Sequence, residues 1–181
     1  MKAAVFFERD GVLNEVRVER QQPVGPLTLE DFRVNREAVP LLKKLKAEGL
    51  LLMVTTNQPG LSRGYQSRRE LDRMHELLRA TFALDDIFVC PHDETDGCSC
   101  RRPKPGLLVE AGFKWRLTLD HCFVISDKWQ DAEAARAVNC TSLLLQSPWN
   151  GIARRDLALP DLAAAVDKLL RLRTAKPVLA A

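Results

Sequence analysis

Ala3-Ala4-Val5-Phe6-Phe7-Glu8-Arg9-Asp10-Gly11-Val12-Leu13-Asn14 is the stretch on which the fold turns. An apolar run stops abruptly at two carboxylates with one residue between them. A short apolar run bounded by a glycine predicts a buried strand. Acids at the C-terminal end of such a strand lie where open α/β sheets bind their ligands. In extended backbone Glu8 and Asp10 share a face, because side chains alternate with a period of two. Neighbouring carboxylates repel, and a hard divalent cation such as Mg²⁺ relieves the repulsion. The plain alternative is a strand end carrying two solvated acids.

The same pattern recurs down the chain. Residues 50–56 form a second apolar run, closed by Thr56-Asn57-Gln58-Pro59-Gly60. A hydroxyl and two amides at a strand end can hold a phosphoryl oxygen, or simply make a turn. Residues 87–89 predict a third strand. Residues 122–125 predict a fourth, ending in Ser126-Asp127-Lys128 with Asp131 four places after Asp127. Residues 142–145 predict a fifth. Helical patterns separate the strands. Residues 37–48 place Val39, Leu41, Leu42 and Leu45 on one face, with Gly49 as the stop. Ser67-Arg68-Arg69-Glu70 reads as a capping box opening a helix to about Phe82, with His75 as a structural residue inside it. Further helices are expected over 107–115, 132–138 and 161–172, with a fraying tail after about 172. The polar segment from 15 to 35 is long for a loop, and is either a flap beside the site or a surface excursion.

Cys90-Pro91-His92-Asp93-Glu94-Thr95-Asp96-Gly97-Cys98-Ser99-Cys100 carries a complete tetrahedral Cys₃His ligand set. Cys90, His92, Cys98 and Cys100 leave no open position, so the expected ion is a structural Zn²⁺ pinning a loop poor in apolar side chains. A nucleic-acid zinc ribbon would need two ligand pairs farther apart. Arg101, Arg102 and Lys104 follow directly. Pinning fixes where these cations point, and they suit a phosphate group; the alternative is a solvated basic patch.

Composition bounds the rest. A chain of 181 residues predicts one domain with an adequate core, and no repeat or linker divides it. A net charge of +3 is too small to argue for nucleic acid, and it suits a phosphorylated ligand. No apolar run has transmembrane length, and Glu8 arrives too early for a signal-peptide core. A cytoplasmic, monomeric protein with no membrane partner is expected. There the clustered thiols point to metal, while Cys122 and Cys140 read as small buried residues.

Alternating strands and helices imply an α/β, doubly wound, mostly parallel Rossmann-like sheet with helices on both faces and a zinc-pinned loop. Its C-terminal edge gathers Glu8, Asp10, Thr56, the cations after the zinc loop and Asp127. Acids, a hydroxyl and cations in one crevice suit phosphoryl transfer.

At this point the chain resembles the haloacid dehalogenase superfamily, and within it the small phosphatases of D-glycero-D-manno-heptose 1,7-bisphosphate and of histidinol phosphate. Residues 8–14 match the first motif, Asp-Arg-Asp-Gly-Thr/Val-hydrophobic-Asn, except at the first position. Thr56-Asn57-Gln58 matches the second, residues 90–100 the zinc loop, Arg101-Arg102-Pro103 the Arg-Lys-Pro after it, and Ser126-Asp127-Lys128 with Asp131 the last. The resemblance spans about residues 3–150 and implies no large cap domain.

It implies roles as well. Position 8 attacks phosphorus, and Asp10 handles the proton. Thr56 and the cation at 102, with Lys104 as a possible substitute, hold phosphoryl oxygens. Asn57, Gln58, Arg101 and Lys128 face the substrate, a small phosphorylated metabolite. Mg²⁺ sits among Glu8, Asp127 and the Asp10 carbonyl. Two positions depart from the pattern: Glu8 replaces the nucleophilic Asp, and Arg102 replaces a Lys. The extra methylene moves a carboxylate by roughly an ångström, which can cost about 10²-fold in rate. Two functions therefore stay open: an Mg²⁺-dependent phosphatase of a phosphorylated sugar or related metabolite, and an impaired paralogue that binds such a ligand or a protein partner. A DNA-end phosphatase is disfavoured by the lack of a basic stripe.

Overall fold

The computed structural model describes residues 2–150 and 158–175. The expected fraying tail falls largely outside these residues. Five parallel strands form the central sheet: β1 (Ala4–Phe7), β4 (Leu51–Asn57), β5 (Asp86–Cys90), β6 (Phe123–Ser126) and β7 (Thr141–Leu144). Their order is β5-β4-β1-β6-β7, with β1 in the centre. All four residues of β1 are buried, as a strand covered on both faces must be.

Alternation along the strands sorts the core into two clusters. Val5, Phe7, Leu52, Val54 and Ile125 pack with α1 (Ala38–Ala47), α2 (Arg68–Phe82) and α5 (Leu162–Ala175). Ala4, Phe6, Met53 and Val124 pack with α3 (Gly106–Trp115) and α4 (Trp129–Ala137) on the other side. Cys122 and Cys140 are buried in this second cluster. The sheet is thus covered on both faces, as the alternation implied, and its strand ends open at one edge.

Three local expectations change. The backbone is not extended past Phe7: it turns at once, and the amides of Leu13 and Asn14 both bond the Arg9 carbonyl. Glu8 and Asp10 are therefore neighbours through a tight turn and not through strand pleating. Second, the 15–35 segment contains an antiparallel hairpin, β2 (Arg17–Glu19) and β3 (Gln22–Val24). Its two turn residues, Arg20 and Gln21, both take positive φ (48° and 62°). That is the twist a two-residue hairpin requires, reached here without the usual Asn or Gly. Among the described residues this hairpin is the one regular insertion between β1 and α1, and no cap domain stands over the sheet. Third, the Ser67 hydroxyl caps the Glu70 amide, but the Glu70 carboxylate bonds the Leu29 amide at 2.7 Å instead of returning to Ser67. Half of the capping box is thus used to tie the long loop to α2.

Candidate active site

The ends of β1, β4 and β6, joined by the segment after β5, gather four acids and three cations at one edge. Glu8 follows β1 directly and its side chain is fully buried. One of its oxygens accepts from the Thr56 hydroxyl at 3.0 Å and from the Asp10 amide at 3.2 Å. The other pairs with the Arg102 guanidinium, which also reaches Asp131 at 3.1 Å. Asp131 in turn accepts from the Ser126 hydroxyl at 2.6 Å. Burial pushes the Glu8 carboxyl above its usual range, against the pull of Arg102 and Lys128. Burial works against the Arg102 charge too, but Asp131 and Glu8 outweigh it and hold the guanidinium charged.

Asp10 has a different environment. Although buried, it is held below the ordinary carboxylate range by Arg9, Asn14 and Gln58. Arg9 forks onto both its oxygens at 3.0 and 3.1 Å, Gln58 donates at 2.8 Å and Asn14 at 3.0 Å. Arg9 is itself wholly buried. It bonds Gln58, lies 5.6 Å from the centre of the Phe32 ring, and stands 3.4 Å from the His75 imidazole. Burial and the Arg9 charge lower His75 to about 3, so it is neutral and can accept from Arg9. His75 thus has the structural place expected of it, as the far end of the network that orients Asp10. Gly25, just past the hairpin, lies over Asp10: a β-carbon there would stand 2.7 Å from the carboxylate.

Asp127 follows β6 and is 3% exposed. One oxygen accepts from Lys128 at 2.7 Å, and the same ammonium bonds the Asp10 carbonyl. The other, Oδ2, is buried with no hydrogen-bond partner. It faces Gly11, where a β-carbon would come within 2.2 Å at a φ of +96°. Burial raises the Asp127 carboxyl despite Lys128. A buried oxygen without a donor, beside a second carboxylate and a main-chain carbonyl, is a donor set that suits a hard cation.

Sequence inspection missed the clamp beneath Asp127. Ser147, the Trp149 indole and the Asn150 amide all donate to its carbonyl, at 2.8, 2.9 and 2.7 Å. Asn150 also bonds the Trp129 amide and the Leu145 carbonyl. The signal was available: Ser147-Pro148-Trp149-Asn150 follows the fifth strand, at the same sheet edge as the other polar clusters.

Cys90, His92, Cys98 and Cys100 converge as their spacing implied, with ligand atoms all within 4.8 Å of one another. The Cys90–Cys98, Cys98–Cys100 and Cys90–His92 separations are 3.7, 3.6 and 3.7 Å. Tetrahedral bonds of about 2.3 Å give ligand separations of about 3.7 Å. The cluster could hold such an ion.

The cations after this loop divide. Arg102 enters the crevice. Arg101 donates to the His92 carbonyl and pairs with Glu94. Lys104 donates to the Gly97 and Cys98 carbonyls at 3.1 and 2.7 Å. Lys104 is therefore engaged in bracing the Cys/His loop, where sequence had offered it as a substitute for the cation at 102. Gln58 and Lys128 likewise spend their polar atoms on Asp10, Thr56 and Asp127. All of these still border a cavity of about 920 Å³, together with Asn57, the hairpin and the Tyr65, Trp129 and Trp149 rings. No helix among the described residues is long and apolar enough to cross a membrane.

Residues 99–169 match the HAD-hydrolase-like family model. The D-glycero-β-D-manno-heptose-1,7-bisphosphate 7-phosphatase of Pseudomonas aeruginosa is 32% identical, over 94% of this chain and 99% of the relative. The Helicobacter pylori J99 protein of the same name is 34% identical, over 80% of this chain and 84% of its own. Among solved structures, a D,D-heptose 1,7-bisphosphate phosphatase of Bordetella bronchiseptica, complexed with magnesium and phosphate, superposes with a TM-score of 0.78 at 26% identity. That match covers 95% of this chain and 99% of the other.

Proposed function

This chain belongs to the haloacid dehalogenase-like hydrolases alongside the heptose bisphosphate 7-phosphatases, and from that premise we propose that it hydrolyses a phosphomonoester of a small sugar with Mg²⁺. The observation that carries the proposal is the network joining Glu8, Thr56, Arg102 and Asp131 at the sheet edge, to which Asp127 is tied through Lys128 and the Asp10 backbone. The whole chain is taken as one unit around that sheet, working as a cytoplasmic monomer.

Mg²⁺ would be held by Glu8, Asp127 and the Asp10 carbonyl, as the unpartnered Asp127 Oδ2 supports. When bound, it supplies positive charge that offsets the charge of the phosphoryl oxygens. Zn²⁺ at Cys90, His92, Cys98 and Cys100 would serve only to hold the loop, having no open position.

The chain's own residues divide the chemistry. Thr56, Arg102 and the Asp10 amide hold phosphoryl oxygens. A Glu8 oxygen attacks phosphorus, the phosphorus–oxygen bond to the sugar breaks, and Asp10 gives its proton to the departing oxygen. Asp10 then takes a proton from water as that water attacks phosphorus. The glutamyl oxygen leaves, and inorganic phosphate is released. Asp10 rests ionised, which suits the second step. For the first it must carry a proton, and the entering phosphoryl charge favours that by like-charge repulsion. The leaving sugar occupies the cavity beneath the hairpin, where Asn57, Gln58, Arg101 and Lys128 border it.

The test is phosphate release from a panel of sugar phosphates that includes D-glycero-D-manno-heptose 1,7-bisphosphate. Release should require Mg²⁺, and Asp10→Asn should lower it by about 10²-fold or more. Absence of release across the panel, by wild type and Glu8→Asp alike, would remove the enzyme. A ligand-binding paralogue would replace it, and one observation favours that outcome: the Glu8 carboxylate already occupies donors that substrate would need.

A further inference from the structure

Glu8 makes more contacts than a nucleophile poised for attack requires. A phosphoryl group at this sheet edge needs donors for its non-bridging oxygens. The donors at hand are the Thr56 hydroxyl, the Asp10 amide at the turn after β1, and the Arg102 guanidinium. All three end on Glu8: the hydroxyl at 3.0 Å and the amide at 3.2 Å on one oxygen, the guanidinium on the other. The side chain is fully buried, and these are its principal partners. One added methylene extends the carboxylate by roughly an ångström beyond the reach of an aspartate.

We propose that Glu8 is an internal occupant of its own phosphoryl site, so that a phosphate anion binds only by displacing the Glu8 carboxylate from Thr56, Asp10 and Arg102. A carboxylate and a phosphate cannot share these donors, since two anions in one buried site repel. Arg102 makes displacement harder. Its guanidinium is braced from behind by Asp131, which is in turn bonded to Ser126. The cation therefore stays where Glu8 meets it and does not follow an incoming ligand outward. The resting molecule has the electrostatics of an anion-bound one, and position 8 sets the affinity for any phosphomonoester. The identity of the three donors as the phosphoryl cradle rests on the phosphatase proposed above.

The experiment is calorimetric titration with inorganic phosphate at constant Mg²⁺, on wild type, Glu8→Asp and Glu8→Ala, each checked for its fold by circular dichroism. Glu8→Asp is decisive, because it shortens the side chain without changing charge. It should bind phosphate at least tenfold more tightly than wild type, a difference of about 1.4 kcal/mol. Equal or weaker binding by Glu8→Asp would overturn the proposal. If that variant does not fold, Glu8→Ala decides: binding no tighter than wild type would overturn it as well. Hydrolysis of sugar phosphates, measured separately on the same proteins, keeps the two claims apart. Tighter phosphate binding with no turnover in any variant would sink the phosphatase and leave the occupied cradle standing.

Discussion

The Cys/His loop and the acid crevice adjoin one another, linked through Cys100-Arg101-Arg102, yet they are assembled by opposite means. The loop's four ligands lie between Cys90 and Cys100, so one short segment closes the site on itself. The crevice draws on Glu8, Thr56, Arg102 and Asp127, which no local segment could bring together. Cohesion differs too. The loop has few apolar side chains, and its three thiols and imidazole lie close enough together to hold an ion. The crevice buries Glu8, Asp10, Asp127 and Asp131 against Arg9, Arg102 and Lys128, so its charges largely compensate one another. A local site depends on which residues are present, whereas a distributed one also depends on how long each side chain is.

Removing the zinc proposed for the loop is the harshest way to break this contrast, because Arg102 is delivered to the crevice by the chain that leaves the loop. Elemental analysis should find one zinc per chain. Cys98→Ser, or chelation, should lower the melting temperature by roughly ten degrees or more, given the large binding energies of structural zinc. Phosphatase activity should fall by about 10²-fold as Arg102 loses its position. An ion-free protein with unchanged melting temperature and activity would show that the loop stands without metal.

A milder perturbation probes the crevice alone. His75, held at about 3, faces Arg9, Arg79, Arg68 and Asp10. Its depressed value means that the unfolded chain binds a proton the folded chain refuses. The associated stability is fully present above about pH 6.5 and is lost as the pH falls toward 3, by about 2 kcal/mol at pH 5. His75→Gln should therefore flatten the fall of melting temperature between about pH 6.5 and 5, by several degrees. The same slope in both proteins would remove His75 from the network behind Asp10.

The same contrast explains what sequence could and could not show. The parallel sheet followed from apolar runs alternating with helical patterns, and the polar residues at strand ends located the crevice. The Cys₃His set was legible because its spacing is local. The hairpin was not, since Arg20 and Gln21 adopt positive φ without the Asn or Gly that would announce it. The bonds of Glu70 to Leu29 and of Lys104 to Gly97 and Cys98 are tertiary choices among several a flexible polar side chain could make. Sequence showed that Glu8 carries one methylene more than the Asp of the family motif; only the fold shows which donors its carboxylate reaches.

Initial rates of phosphate release from D-glycero-D-manno-heptose 1,7-bisphosphate, with Mg²⁺, by wild type and Glu8→Asp side by side, test the central claim most directly. Both proteins should release phosphate, and Glu8→Asp should do so at least tenfold faster, a barrier lower by about 1.4 kcal/mol. Equal rates would contradict the account by making Glu8 a fully competent nucleophile, and no release by either protein would contradict it by removing phosphoryl transfer from the crevice altogether.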